Sequence, residues 1–562
     1  MSATATETPM LNVQIDGEWK KFPKGTRLIE ACMKSGQYIP HYCYHPKLSS
    51  PGNCRMCLVE MGMPKMTPER KPVIGEDGFP EINWSPRPAI SCATEISEGM
   101  AVRTDSPLVR ECRNGVMEFL LINHPLDCPI CDQAGECRLQ EFSVEFGKGE
   151  SRFLEEKVKK PKRVDIGERI VLDDERCIMC SRCIRFMQEI VQDDVLGFVN
   201  RGSHTTLTVY PGRRLDSNYS LNTADICPVG ALTSKDFRFK MRVWFLRETK
   251  SIDVHCGTGT NILVGSRENK VYRVTPREND FVNGCWMPDS HRLAIHDINS
   301  PDRLTEPQVR GTSFPPKWQQ AVDAAAEKLK NVSGGVAMIA SARMTCEEMF
   351  LARRLAEVLG IAQFDVLPRP QEGDGFLISS DGNPNTTGAR LLGLATGKLP
   401  EIVQAIGRRA IRGLIVLGED ATACGIADAD LEKLEVLLAM NTLPSATTRL
   451  AHVVLPSASW AEKRGSMLNT RGRIQRLNRA ISSPGQARED WEILRDLIQA
   501  ASGSNGIYSI EEVFKQMASS IPALEGLSLA RIGDLGIDLS DKLPDSIDLV
   551  REPVPTKAPA AV

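Results

Sequence analysis

This 562-residue chain lacks four features, and each absence closes off a class of function. No apolar run approaches the ~18–20 residues needed to span a bilayer, so any membrane association has to come through a partner. The opening MSATATETPM has neither a positive segment nor an apolar core and is not read as a secretory signal. A net charge of −3 leaves no basic footprint for nucleic acid and no polybasic case for a membrane surface. No strand–GxGxxG–helix fingerprint occurs, so dinucleotide binding by this chain is not expected.

What is present is cysteine. The length implies several domains, and 41% hydrophobic with 25% charged residues is ordinary for a soluble globular protein. Seventeen cysteines without an export signal favour metal thiolates over structural disulfides. Eleven of them, with one histidine, fall at metal-ligand spacings between residues 43 and 227. They form three sets of four, the number of ligands a two-iron or four-iron sulfur cluster requires. A disulfide scaffold or zinc ribbons are the rival reading.

The first set lies in a β-rich stretch. LNVQIDGEWKKF alternates around Asp16-Gly17, a hairpin signal, and GTRLIEACMKSG reads as a short helix closing at Gly36. Cys43, Cys54 and Cys57 follow as C-x10-C-x2-C, with Cys92 as the fourth thiol after a long insertion. The close pair suits one iron and the remote pair a second. Gly52 and Asn53 suit a tight backbone there, whereas Cys32 reads as a buried small hydrophobe. The second set follows a helix capped by Ser106-Pro107 and stopped by Pro125, on which Cys112 is structural. It is H-x3-C-x2-C-x5-C: His124, Cys128, Cys131 and Cys137. Zinc bound by one histidine and three cysteines is the chemical rival.

After a charged linker comes Cys177, Cys180 and Cys183 as C-x2-C-x2-C, then Cys227-Pro228. In a two-cluster ferredoxin the fourth cysteine of each motif serves the other cluster. Here Met187 replaces one such cysteine, and Ser217, Ser220 and Thr223 replace the three thiols before Cys227. Cys177, Cys180, Cys183 and Cys227 therefore close one cubane and the second cannot form. Beyond residue 330 strand and helix alternate, as in VAMIAS before TCEEMFLARRLAEVLG, which implies a parallel sheet covered by helices.

These motifs, in this order, resemble the large iron–sulfur (G) subunits of NADH-quinone oxidoreductases, respiratory complex I. The histidine-containing set is similar to a [4Fe–4S] pattern found there and in some iron hydrogenases. Residues 246–305 resemble the cluster-bearing first domain of molybdopterin oxidoreductases (Mo/W bis-MGD type). Asp253, Thr260 and Pro288 stand where that pattern needs cysteine, and only Cys256 survives, with Cys285 three positions early. Glu462, Gly465, Asn469, Gly472, Arg473 and Gln475 resemble a motif near the pterin in that family. No cysteine is placed as a molybdenum ligand; Cys346 and Cys424 read as core residues.

The resemblance implies a multidomain α+β and α/β architecture. Its parts are a β-grasp [2Fe–2S] ferredoxin-like domain (10–105) and a histidine-plus-three-cysteine [4Fe–4S] segment (106–147). A bacterial-ferredoxin-like [4Fe–4S] domain (165–245) follows, then the cluster-less domain (246–305). A truncated molybdopterin-oxidoreductase-like α/β region (306–545) and a disordered tail (546–562) complete the chain. It also implies electron relay from an FMN-bearing, NADH-oxidising subunit towards quinone, through one [2Fe–2S] and two [4Fe–4S] clusters. Other peripheral-arm iron–sulfur subunits would be partners, on the cytoplasmic side of the inner membrane, within a proton-translocating complex. Neither molybdopterin nor NADH oxidation by the chain alone is expected. An iron-hydrogenase or formate-dehydrogenase relative and a structural zinc protein are the alternatives.

Overall fold

The computed structural model describes residues 8–558, except 77, 313, 333, 334 and 505. The chain divides into two compact units between Val243 and Trp244.

The first unit begins with the expected hairpin. Met10–Ile15 and Glu18–Pro23 pair across Asp16 (φ 49°) and Gly17 (φ 93°), two left-handed residues whose twist matches that of the strands. Met10–Ile15 also pairs in parallel with Ala101–Arg103, which joins Leu58–Pro64 and then Ile82–Trp84. Helix Leu28–Lys34 lays Leu28, Ile29, Ala31 and Cys32 against Val13, Ile15, Val59 and Val102 of this sheet. Cys32 is thus a core residue. Helix Pro107–Leu121 starts where the sequence signals it, with the Ser106 hydroxyl accepting from the Val109 amide at 3.3 Å. A second helix, Arg138–Phe146, packs beside it. The rest of the unit is a small sheet of Val164–Asp165, Ile170–Leu172 and Leu232–Ser234, with helices Arg182–Phe186 and Asn222–Asp225.

The second unit opens with an antiparallel sheet, Arg247–Ile252, Asn261–Arg267 and Lys270–Pro276. Its main body is a six-stranded sheet. Five parallel strands run in the order Gln363–Val366, Val336–Ala340, Gly413–Leu417, Val436–Asn441, Val453–Pro456, with Gln308–Val309 antiparallel at the edge. Alternate residues feed two cores: Met338, Ile415 and Leu438 one, Ile339, Val416 and Leu437 the other. Both faces are covered by helices, which is why these strands read as continuous apolar runs. The second unit also corrects the expected tail. Ile547 is buried, Leu549 packs on the core, and the Val550 amide donates to the Thr470 carbonyl at 2.9 Å. The two aliphatic side chains anchor a segment whose downstream proline-rich composition suggested disorder from 546. Residues 559–562 of that expectation lie outside the described residues.

Candidate metal centres

The four thiols of the first set converge below the sheet. The Cys43 thiolate is stabilised by hydrogen bonds from Cys54 and Cys92, and Cys57 is held down to about 7, chiefly by a hydrogen bond with Cys92. The Cys43 amide also points at the Cys54 sulfur, 3.5 Å away. Arg55, between Cys54 and Cys57, adopts φ 61°. A non-glycine residue there is strained, typically by ~1–2 kcal/mol, and such strain clusters at functional sites.

The third set repeats the device twice. Met179 (φ 54°) and Ser181 (φ 60°) are left-handed between its cysteines. Cys177, Cys180, Cys183 and Cys227 line one small cavity walled by Ile178, Phe198, Leu207, Val229 and others. Burial pushes the Cys180 thiol up to about 11 and Cys177 and Cys183 well above their ordinary range. Four thiolates cannot persist in such surroundings unless positive charge joins them, as a bound metal would supply.

His124, Cys128, Cys131 and Cys137 line a cleft of about 770 Å³. His124 stands just beyond the helix Pro107–Leu121, and burial holds its ring down at about 4, so the imidazole is neutral, the form that ligates. Gly135 at φ 93° turns the loop before Cys137. A side chain at Gly230 would meet the Cys131 sulfur at 2.3 Å, so only glycine fits that approach. The charged stretch expected to be a linker lines this cleft instead, since Lys157 caps the carbonyls of Leu121 (2.8 Å) and Ile122 (2.7 Å).

One cysteine of each set enters a common apolar cluster. Cys43, Cys137 and Cys180 belong to a single buried apolar cluster with Tyr42, Met56, Met117 and Phe142, and Cys54, Cys177 and Cys227 pack against it. The third set is central. Arg185 donates to the Cys43 carbonyl at 2.5 Å and Arg182 to the Tyr44 carbonyl, fastening it to the first set. Gly230, three residues after Cys227, lies against Cys131 of the second set. Sequence spacing nominated these twelve side chains but missed the tethers between them, because an arginine bound to a remote carbonyl has no local signature.

The motif residues of the second unit are engaged differently. Arg303 grips Glu462 through two contacts of 2.7 Å, both side chains buried. Gln475 meets Asn261 at 2.5 Å and the Gly259 carbonyl at 3.0 Å. Asn469 closes its own hairpin by accepting from the amides of Arg471 and Arg473. Gly465 admits no side chain, because a Cβ would meet Thr345 at 2.6 Å. Arg473 donates to the carbonyls of Leu535 and Gly536. Cys346 is buried in the core and Cys424 packs partly buried on its edge. These residues hold the fold together and leave few groups to grip a pterin.

Family comparisons follow the same division. Residues 8–107 match a 2Fe-2S iron-sulfur cluster binding domain, 113–152 an NADH-ubiquinone oxidoreductase-G iron-sulfur binding region, and 167–233 an NADH-quinone oxidoreductase subunit 3 ferredoxin-like domain. Residues 246–296 match an NDSU1/NuoG-like 4Fe-4S domain, and 369–500 match molybdopterin oxidoreductase. The chain is a multidomain mixed α/β protein built from 2Fe–2S ferredoxin-like, 4Fe–4S and molybdopterin-oxidoreductase domains. The NADH-quinone oxidoreductase G subunit of Rickettsia bellii is 30% identical over 97% of this chain and 94% of its own length. That of Rickettsia felis is 32% identical over 91% and 90%, and the mitochondrial NADH-ubiquinone oxidoreductase 78 kDa subunit of Neurospora crassa 31% over 94% and 86%. The chain belongs to the G-subunit family of NADH-quinone oxidoreductases.

Proposed function

We propose that the chain relays electrons within the peripheral arm of an NADH:quinone oxidoreductase, complex I. In this reading Cys43, Cys54, Cys57 and Cys92 hold a [2Fe–2S] cluster. Cys177, Cys180, Cys183 and Cys227 hold one [4Fe–4S] cluster, and His124, Cys128, Cys131 and Cys137 a second. The clusters, when bound, supply one-electron redox chemistry. The chain's own task is to fix their separations and keep water out, which tunes potential. The observation that carries the reading is the single apolar cluster shared by Cys43, Cys137 and Cys180. Three unrelated structural zinc sites would have no need of a common apolar cluster.

Domain limits of 10–105, 106–147, 165–245, 246–305 and 306–545 suit this division of labour. An FMN/NADH-binding subunit would deliver electrons near the [2Fe–2S] domain. Other peripheral-arm iron–sulfur subunits would carry them on towards quinone, coupled in the complex to proton translocation. Among the described residues no helix is long and apolar enough to cross a membrane. Attachment to the cytoplasmic face of the inner membrane is therefore assigned to partners. Molybdopterin has no role here, as the inward bonding of Glu462, Asn469 and Gln475 supports.

The test is iron and sulfide quantification with low-temperature EPR on anaerobically reconstituted chain. On the order of ten irons and three spectroscopically distinct centres are expected. Zinc without acid-labile sulfide would overturn the reading. NADH should bleach the iron–sulfur absorbance only when the flavin-bearing partner is added, since hydride must first be split into single electrons.

A further inference from the structure

The second unit contains a donor group outside the three sets. Asp253 and Cys256 lie in the turn after strand Arg247–Ile252, and His291 lies on the short helix Asp289–Leu293. All three are buried, and one ligand atom from each lies within 4.8 Å of the others. The Asp253 carboxylate reaches His291 Nδ1 at 2.6 Å through one oxygen and His255 Nδ1 at 2.5 Å through the other. The Thr260 carbonyl accepts from the Asp253 amide at 2.7 Å, and the Thr260 hydroxyl is buried with no hydrogen-bond partner.

The matched family description for this region is a 4Fe-4S domain, and the residues do not fit one. A cubane takes four ligands, normally thiolates. Cys256 is the one thiol in the convergent group, and Cys285 is not part of it. One sulfur, one imidazole and one carboxylate are instead the ligand types of a single borderline divalent ion. Magnesium or calcium would take oxygen donors and leave the thiol and imidazole unused.

We propose that Asp253, Cys256 and His291 bind one zinc-class divalent cation, with water in the fourth position and His255 orienting Asp253 from outside. The ion balances one thiolate and one carboxylate. It ties the 253–260 turn to the 289–293 helix, the cross-link that a cubane would otherwise provide. Tetrahedral donors at ~2.0–2.3 Å from zinc stand roughly 3–4 Å apart. The Asp253–His291 contact therefore opens by about an ångström on binding, within reach of a side-chain rotation. The assignment is independent of the electron-relay reading, because none of its ligands belongs to the three sets.

The experiment uses the full chain, iron-loaded anaerobically, equilibrated with zinc and desalted, with metals counted by mass spectrometry and zinc examined by X-ray absorption. The expected result is about one zinc per chain beside on the order of ten irons, with one sulfur at ~2.3 Å and the remaining donors at ~2.0–2.2 Å. Cys256→Ser and His291→Gln should each lower retained zinc at least tenfold and leave iron unchanged. Zinc retained equally in both variants, zinc surrounded by three or four sulfurs, or no retained zinc would overturn the proposal. So would about four additional irons, which would mean a cubane forms here. The absorption measurement needs only the unsubstituted chain, so a variant that fails to fold does not remove the test.

Discussion

In the N-terminal unit Cys177, Cys180, Cys183 and Cys227 face a shared cavity, whereas in the C-terminal unit Glu462 faces Arg303 and Glu347 faces Ser466. Both interiors contain groups that are costly to bury. The first leaves its sulfurs to be completed by something the chain does not encode. The second completes its carboxylates with its own cations and donors: Lys463, for example, sits 2.9 Å from both Glu348 and Asp490. Burial works against the Lys463 charge, but Asp490 and Glu348 outweigh it and raise its pKa. A domain that matches a cofactor-binding family can therefore serve as scaffold when its polar residues bond one another. A fold whose thiols converge without such partners is, on the proposed reading, dependent on metal.

That contrast can be broken most directly by stripping iron. Chelation of the reduced chain should release protection against hydrogen exchange throughout residues 8–243 and leave the sheet of 336–456 protected, because metal binding and folding are linked in the first unit, whereas that sheet packs without the proposed zinc ligands. Equal loss in both units would erase the distinction. His124→Ala should come next, removing about four of roughly ten irons in air while leaving the other two centres. His124→Cys, with four ligands again, should keep the iron but shift the EPR signal and the potential. An unchanged spectrum for both variants would take His124 out of the ligand set.

Away from the Asp253–Cys256–His291 group, the C-terminal unit should answer to charge pairing. Glu462→Ala leaves the buried Arg303 uncompensated and should cost about 3–5 kcal/mol in urea unfolding with no change in EPR. The pair Arg303→Met with Glu462→Leu should recover most of that loss. The smallest effect concerns Glu347, which burial pushes up to about 7 from an ordinary value of 4.5, against donation from Ser466. The folded state then holds a proton that the unfolded state has released, so this stability is full below pH 4.5 and lost as pH rises through 7. Between pH 6 and 8 Glu347 should account for about 1.4 kcal/mol of the stability the C-terminal unit loses, and Glu347→Gln should lessen that slope by this amount. An identical slope in the variant would locate the titration elsewhere.

The sequence by itself nominated the candidate donors, chiefly through the short local spacings within each set. The close spacing of Cys54 and Cys57, and of Cys177, Cys180 and Cys183, marks them in the sequence, whereas Cys92 and Cys227 are remote from their sets. It also determined the hairpin at Asp16-Gly17, the cap at Ser106 and the alternation that builds the parallel sheet, all set by short-range backbone preference and periodicity. It misjudged residues 546–552, where composition suggested disorder but Ile547 and Leu549 find a core to enter. Only the tertiary structure decided which donor sets are fastened to one another, through Arg182, Arg185 and Gly230, whose partners lie far away in sequence. It alone decided that Glu462 would meet Arg303 and that Asp253, Cys256 and His291 would meet one another. Those pairings depend on how distant segments pack, and burial then decides whether each group is answered by the chain or must be answered by a metal.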